Sequence, residues 1–457
     1  MLDRRRFLAA TAGFGVAGLA CPASAASLFT EATLTAMRGS IDASDYGVRP
    51  DALDDQSKAF SRMLAKASDA DAPIFLPPGR YTISNVTLPK RVRLTGVPGA
   101  TQIIYGGDGH FLLAESAQQI EFTGLVFDGA NRWIGDQAQG LLDLRRVETV
   151  SIDNCQILGS GKNGLALERA SGRIANSQIS GAADAGIYSV EAGRLQIAGN
   201  SVSDCANGGI LAHRWQVADD GTMISGNRIE RIGARNGGTG QFGNGINAFR
   251  ANNVQIANNI VSDCAFSAIR ANGSSNLQIV GNQAIRSGET AIYAEFAFEG
   301  AVINANIVDR AANGISVVNF DSGGRMAACA GNIVRNLSTQ GPYPADPPGF
   351  GVGITVEADC AVTGNVVENA PLFGMKIGWG AFMRNVVATG NVVRKAGTGI
   401  GVSVVRGTGS AVISDNVVDG AENGAIVGYE WIKPVTGDLA RGAGDYPNLT
   451  VERNRVS

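Results

Sequence analysis

Five residues able to move protons or hold charge follow repeats of one small motif, a Gly or Ala and then Ile or Met. Arg270, Tyr293 and Lys376 stand one place after that apolar residue, and Glu295 and Glu357 stand three places after it. Two carboxylates can divide acid and base roles between them. A guanidinium can hold a carboxylate by two parallel hydrogen bonds. A tyrosine or lysine can take a proton if its pKa is lowered. Asn272, Glu295 and Glu357 offer oxygens of the kind Ca²⁺ accepts, although three groups spread over four repeats make a loose cage. Whether a cofactor is needed stays open. His213, Asn247, Arg250 and Trp379 share these offsets or adjoin them and are candidates for contacting a ligand.

What could bring such scattered residues together is the repeat itself. The stretches NSVSDCANGGI (Asn200 to Ile210) and NIVSDCAFSAI (Asn259 to Ile269) are nearly the same line. Extending the pattern gives a ladder at Asn154, Asn176, Asn200, Asn227, Asn259, Asn282, Asn306, Asn332, Asn365, Asn391, Asn416 and Asn454, with a spacing near 24. The intervening segments are short, alternating and rich in Val and Ile, and Gly and Asn punctuate them. That is strand chemistry rather than helix chemistry, and the Leu-rich horseshoe pattern is absent. The expected fold is all-β: a right-handed parallel β-helix of about 12 coils of ~24 residues, with rungs roughly 4.8 Å apart. Each ladder Asn is expected at a turn, where it tolerates left-handed geometry and bonds to the adjacent rung.

Alternation then assigns faces. Ile187, Ile210, Ile246, Ile269, Ile292, Ile315, Ile354 and Met375 point inward, and the residues between them form two outward columns. Polar and aromatic groups concentrate in these columns from His213 to Trp379. Two insertions, Gly233 to Gly243 and Leu337 to Gly351, enter just before this strand, four rungs apart. They are expected to stand roughly 19 Å apart as two walls of a groove. A solvated sheet face with surface loops is the plainer alternative.

The ends of the chain carry their own signals. Residues 1–25 hold paired Arg4 and Arg5, then Phe7 and Leu8, an apolar run, and Ala23-Ser24-Ala25. This order resembles a bacterial twin-arginine export signal, which implies a periplasmic or secreted protein with no membrane association after cleavage. Cys21 leaves lipidation open. Five cysteines remain, an odd number without metal spacing, and they are expected to be free and buried. Asp54 or Asp55 can cap a helix with Phe60, Met63, Leu64 and Ala67 on one face. The insertion Trp431 to Pro447 is expected to fold over the last coils. Charged residues make up 17% and the net charge is −3, which gives nucleic acid no basic footprint.

The segment from Asp45 to Ile83 resembles the opening of the pectate-lyase-like superfamily. The resemblance rests on Asp45-Tyr46-Gly47, the acidic pair Asp54 and Asp55, and Pro77, Gly79 and Tyr81; Ala52 departs from the usual Gly. With the signal at 1–25, the chain then divides into an N-terminal cap with first coils (26–100) that carries this resemblance, and repeats (101–457). The resemblance implies a polysaccharide as partner. The superfamily's galacturonan hydrolases use clustered aspartates, which the columns lack. Its uronate lyases need a cation for the sugar carboxylate, a base and a donor for the leaving oxygen. Arg270 fits the first need and Tyr293 or Lys376 the second. The expected function is exported polysaccharide binding, with lyase or epimerase processing of a uronate polymer. A non-catalytic carbohydrate-binding or structural repeat protein, and a glycoside hydrolase using Glu295 and Glu357, remain as alternatives. Oligomeric state and sugar identity are not legible.

Overall fold

The computed structural model describes residues 39–457, so the twin-arginine segment, Cys21 and the first thirteen residues of the 26–100 segment lie outside the described residues. One coil shows how the sequence builds the whole. After the turn at Asn282, a bent strand Gln283–Glu295 runs along two faces, with Ala284 and Ile292 buried. A turn at Phe296 leads to Glu299–Asn304, with Ile303 buried, and the chain returns to Asn306. Each apolar residue lies above its equivalent in the next coil: Ile269, Ile292, Ile315, Ile354, Met375 and Ile400 are register partners in turn. All six are at most 1% exposed, which confirms the inward column. Stacking coils buries a continuous core that no coil could make alone. The result is a parallel β-solenoid of about fourteen turns, with one sheet of 16 parallel strands along one side.

The coil count exceeds the expected twelve for a reason visible at the corner. The ladder column runs Thr101, Leu125, Cys155, Ser177 and only then Asn200, so counting asparagines misses the early coils. Asn154 and Asn176 are corrected here: they sit one place earlier, with φ of 51° each. From Asn200 onward, left-handed geometry likewise belongs to the preceding residue, as at Gly199 and Gly281. The Asn side chain is thereby free to bond along the stack. The amide N–H of Asn259 donates to Asn282 Oδ1 at 3.0 Å, and Asn282 Nδ2 donates to Asn306 Oδ1 at 3.0 Å and to the Ile256 carbonyl at 2.9 Å. The same pattern repeats from Asn200 to Asn454.

Both ends of the described stack are covered. The helix Ser57–Asp69 buries Phe60, Met63, Leu64 and Ala67, as its pattern requires. Asp55 Oδ1 accepts from the Ser57 N–H at 2.8 Å, although the boundary residue is Gln56. At the other end, Lys433–Asp438 pairs antiparallel with Ile426–Glu430. The Asp438 carboxylate takes the N–H groups of Ala425 and Ile426 at 3.0 and 3.1 Å, groups that a further coil would otherwise engage. Cys155, Cys205, Cys264, Cys329 and Cys360 are free and buried. Among the described residues no helix is long and apolar enough to cross a membrane.

Candidate functional site

The outward columns meet a cavity of about 850 Å³ on the face that carries the Gly-Ile motif. Arg270, Tyr293, Glu295, Glu357, Lys376 and Trp379 line it, together with Glu289 and Tyr343. His213, Asn247, Arg250 and Asn272 are not brought to it. The floor comes from strands Ile269–Asn272, Gln283–Glu295, Ile307–Val317, Val352–Val356 and Val366–Ile377. One wall is formed by the turns around Phe320–Ser322 and Gly380–Phe382, the other by residues 343–350 of the long insertion.

The two insertions do not stand apart as separate walls. Tyr343 reaches from the second one to stack on Phe266, centroids 6.1 Å apart, and its hydroxyl donates to Glu289. The first insertion packs down on Arg270, since a Cβ at Gly240 would lie 1.6 Å from Arg270 Nη1. Apolar burial of Phe350 and partial burial of Tyr343 outweigh extension into solvent, and a partly covered cavity replaces the groove between two separate walls.

Glu289 and Tyr343 escaped the sequence reading. Glu289 occupies the bulge between Ser287 and Thr290, off the alternation that defined the columns. The length of the second insertion was the available signal for Tyr343.

At one end of the cavity the charges are paired. Arg270 Nε donates to Glu295 at 2.6 Å, its Nη1 is 4.0 Å from Glu289, and Asn272 Nδ2 donates to the same Glu295 oxygen at 2.9 Å. The expectation that Arg270 is free for a ligand carboxylate is corrected: two protein carboxylates already face it. Burial raises the pKa of Glu289 and pushes that of Tyr293 up, the reverse of what a tyrosine base requires.

The other end differs. Glu357 accepts a 2.7 Å hydrogen bond from the Phe320 N–H, but burial dominates and lifts its pKa to about 7. Lys376 is 1% exposed, and burial lowers its pKa to about 8. Its ammonium lies 4.7 Å from the Tyr429 ring and 5.4 Å from that of Phe373.

The Ca²⁺ reading does not fit these donors. Asn272 and Glu295 bond each other and Arg270, Glu357 lies two coils away, and no group of three His, Cys, Asp or Glu able to hold a metal occurs among the described residues. His213 is not at an open groove edge either. It packs between Tyr188 and Phe249 at 5.6 and 5.5 Å, its Nε2 is buried without a partner, and burial lowers its pKa to about 4. Asn247 Oδ1 is likewise buried without a partner, and Arg250 donates to the Trp215 carbonyl at 2.6 Å. Trp379 packs edge-on against Trp431 of the C-terminal insertion, at 5.6 Å.

The stacked coils and lateral cavity define a parallel β-helix protein. Residues 140–323 and 215–391 match the model of the right handed beta helix region, more than half the chain between them, and the chain belongs to that family. Residues 40–136 match the rhamnogalacturonase A/epimerase, pectate lyase-like model. No curated protein matches. The N-terminal fragment of bacteriophage phi29 gene product 12 is similar in structure, with 14% identity and a TM-score of 0.52, over 93% of this chain and 76% of that one. The catalytic unit of the GH87 alpha-1,3-glucanase from Streptomyces thermodiastaticus has 14% identity and a TM-score of 0.47, over 86% and 69%. At these identities the likeness concerns the fold alone.

Proposed function

We propose that this protein binds a polysaccharide in the cavity and cleaves or epimerises it, with Glu357 as the proton-transferring group. The observation that carries the reading is the position of Glu357: a half-buried carboxyl on the cavity wall with a pKa raised to about 7 by desolvation. Such a group is part protonated at neutral pH and can donate to a glycosidic oxygen as it leaves. Glu295, ion-paired to Arg270, stands two coils away, about 9.6 Å at the rung spacing. That is the upper edge of the separation used for inverting hydrolysis, where the second carboxylate activates water. Trp379 and Tyr293 supply aromatic surface for a sugar ring. Hydrolysis is therefore the reading that the carboxylate geometry favours.

Elimination or epimerisation of a uronate is the second reading, and Lys376 favours it, as a cation that no carboxylate among the described residues pairs. There Glu357 would take the α-proton instead of giving one. Delivery across the inner membrane by the twin-arginine route belongs to the same proposal. The test is a panel of neutral and uronate polymers incubated with wild type and Glu357→Gln. New reducing ends without an unsaturated sugar mean hydrolysis, and ultraviolet absorbance of an unsaturated product means elimination. A changed uronate without chain cleavage means epimerisation. Loss of turnover in Glu357→Gln supports the assignment, whereas full activity removes Glu357 from the chemistry. Binding without turnover on any polymer makes this a binding module.

A further inference from the structure

Lysine is almost never buried without an anionic partner, yet Lys376 is. Its side chain is 1% exposed, and among the described residues it makes no hydrogen bond and no ion pair. The other basic residue on the cavity, Arg270, is already faced by Glu295 and Glu289. Glu357, diagonal to Lys376 on the adjacent coil, forms no salt bridge with it; its carboxylate is turned to the Phe320 N–H. What surrounds the ammonium is aromatic: the faces of Phe373 and Tyr429. Gly401, the register partner of Lys376, keeps that space open, since a Cβ there would lie 2.7 Å from the Phe373 ring and 3.3 Å from Lys376 Cδ.

An aromatic face returns part of the lost hydration of a cation but does not neutralise it. The face of the ammonium left for a balancing charge is the one toward the cavity, which Lys376 lines. We propose that Lys376 is the recognition site for a single oxyanion on the bound sugar, a carboxylate or a sulfate ester. The inference rests on the cavity being a sugar site, but not on which reaction occurs there. It moves the charge-reading role from Arg270 to Lys376. The aromatic walls suit an anion attached to a sugar ring, because the ring can cover them while the anion meets the ammonium.

The test is calorimetric titration of the full chain with glucuronate, glucose 6-sulfate and glucose, for wild type, Lys376→Arg and Lys376→Met. Wild type is expected to bind at least one of the two anionic sugars more tightly than glucose, by about ten-fold or more for one charge-assisted contact. Which one binds identifies the oxyanion. Lys376→Met, whose side chain suits the aromatic cage, is expected to lose that preference while keeping its circular-dichroism spectrum and a melting temperature no lower than that of wild type. Lys376→Arg is expected to retain part of it. Persistence of the full preference in Lys376→Met overturns the proposal, as does equal binding of all three sugars, or of none, by wild type. Turnover of a polymer by wild type alongside absent anion preference sinks this proposal and leaves the Glu357 reading standing. Anion preference abolished in Lys376→Met with no turnover on any polymer does the reverse.

Discussion

Replacing Asn282 with alanine should do more damage than its small size suggests. The side chain takes part in four hydrogen bonds of 2.9–3.0 Å: it donates to the Ile256 carbonyl and Asn306 Oδ1, and accepts from the Asn259 amide N–H and Asn259 Nδ2. Asn282 and both neighbouring rungs are 0% exposed, so water cannot substitute. Leaving the Asn259 N–H unpaired costs about 1–3 kcal/mol, and three further bonds contribute about 0.5–1.5 kcal/mol each. The expected loss is therefore roughly 3–7 kcal/mol. Asn454→Ala is the control: its side chain takes part in three such bonds, and because that rung is partly exposed water can take over its partners, so its cost should be smaller, about 1–3 kcal/mol. A solenoid need not unfold in one step, so a single unfolding midpoint is a poor measure. Hydrogen exchange at the Asn259 amide reads the local loss directly, with urea unfolding as the global check. Unchanged protection of that amide, or equal costs for the two variants, would refute the ladder as a source of stability.

Three other outcomes are expected, two from the structure and the last from the sequence alone. Glu357 has a folded pKa of about 7 against an ordinary 4.5, so its contribution is fully present below the ordinary value and lost as pH rises through about 7. Glu357→Gln should thus be the more stable protein at pH 8, by roughly 3 kcal/mol at most, with the gap closing near pH 4; thermal melts across pH check this. Deleting Lys433 to Asp445 removes both the antiparallel strand and the Asp438 cap, and the uncovered N–H groups should promote concentration-dependent association in light scattering. A monomeric, equally heat-stable deletion variant would argue against the cap. Changing Arg4 and Arg5 together to Lys should leave the precursor in the cytoplasm in a fractionation experiment, and normal delivery would count against the twin-arginine route.

The sequence by itself determined the coil. A chain that repeats near every 24 residues places each residue beside its own equivalent, so local alternation sufficed to put Ile292 inward and Arg270 next to Tyr293. The same holds for the helix face of Phe60, Met63, Leu64 and Ala67, which is set by a 3.6-residue period. Even the ladder misreading at Asn154 and Asn176 was an error of one place, made where Cys155 and Ser177 stand in for asparagine. Tertiary structure decided what lies outside the period. Tyr343 finds Glu289 from an insertion that no repeat constrains. Lys376 is caged by Tyr429, 53 residues on, and Arg270 is claimed by Glu295 from the next coil. The pKa values of Glu357, Lys376 and Tyr293 follow from desolvation, which sums over every segment packed around a group. Column and offset fix which residues are neighbours, but burial and pairing depend on which loops close over them, and that is why the alternation could place Arg270, Tyr293 and Lys376 on one face but neither find Glu289 and Tyr343 nor set the charge states.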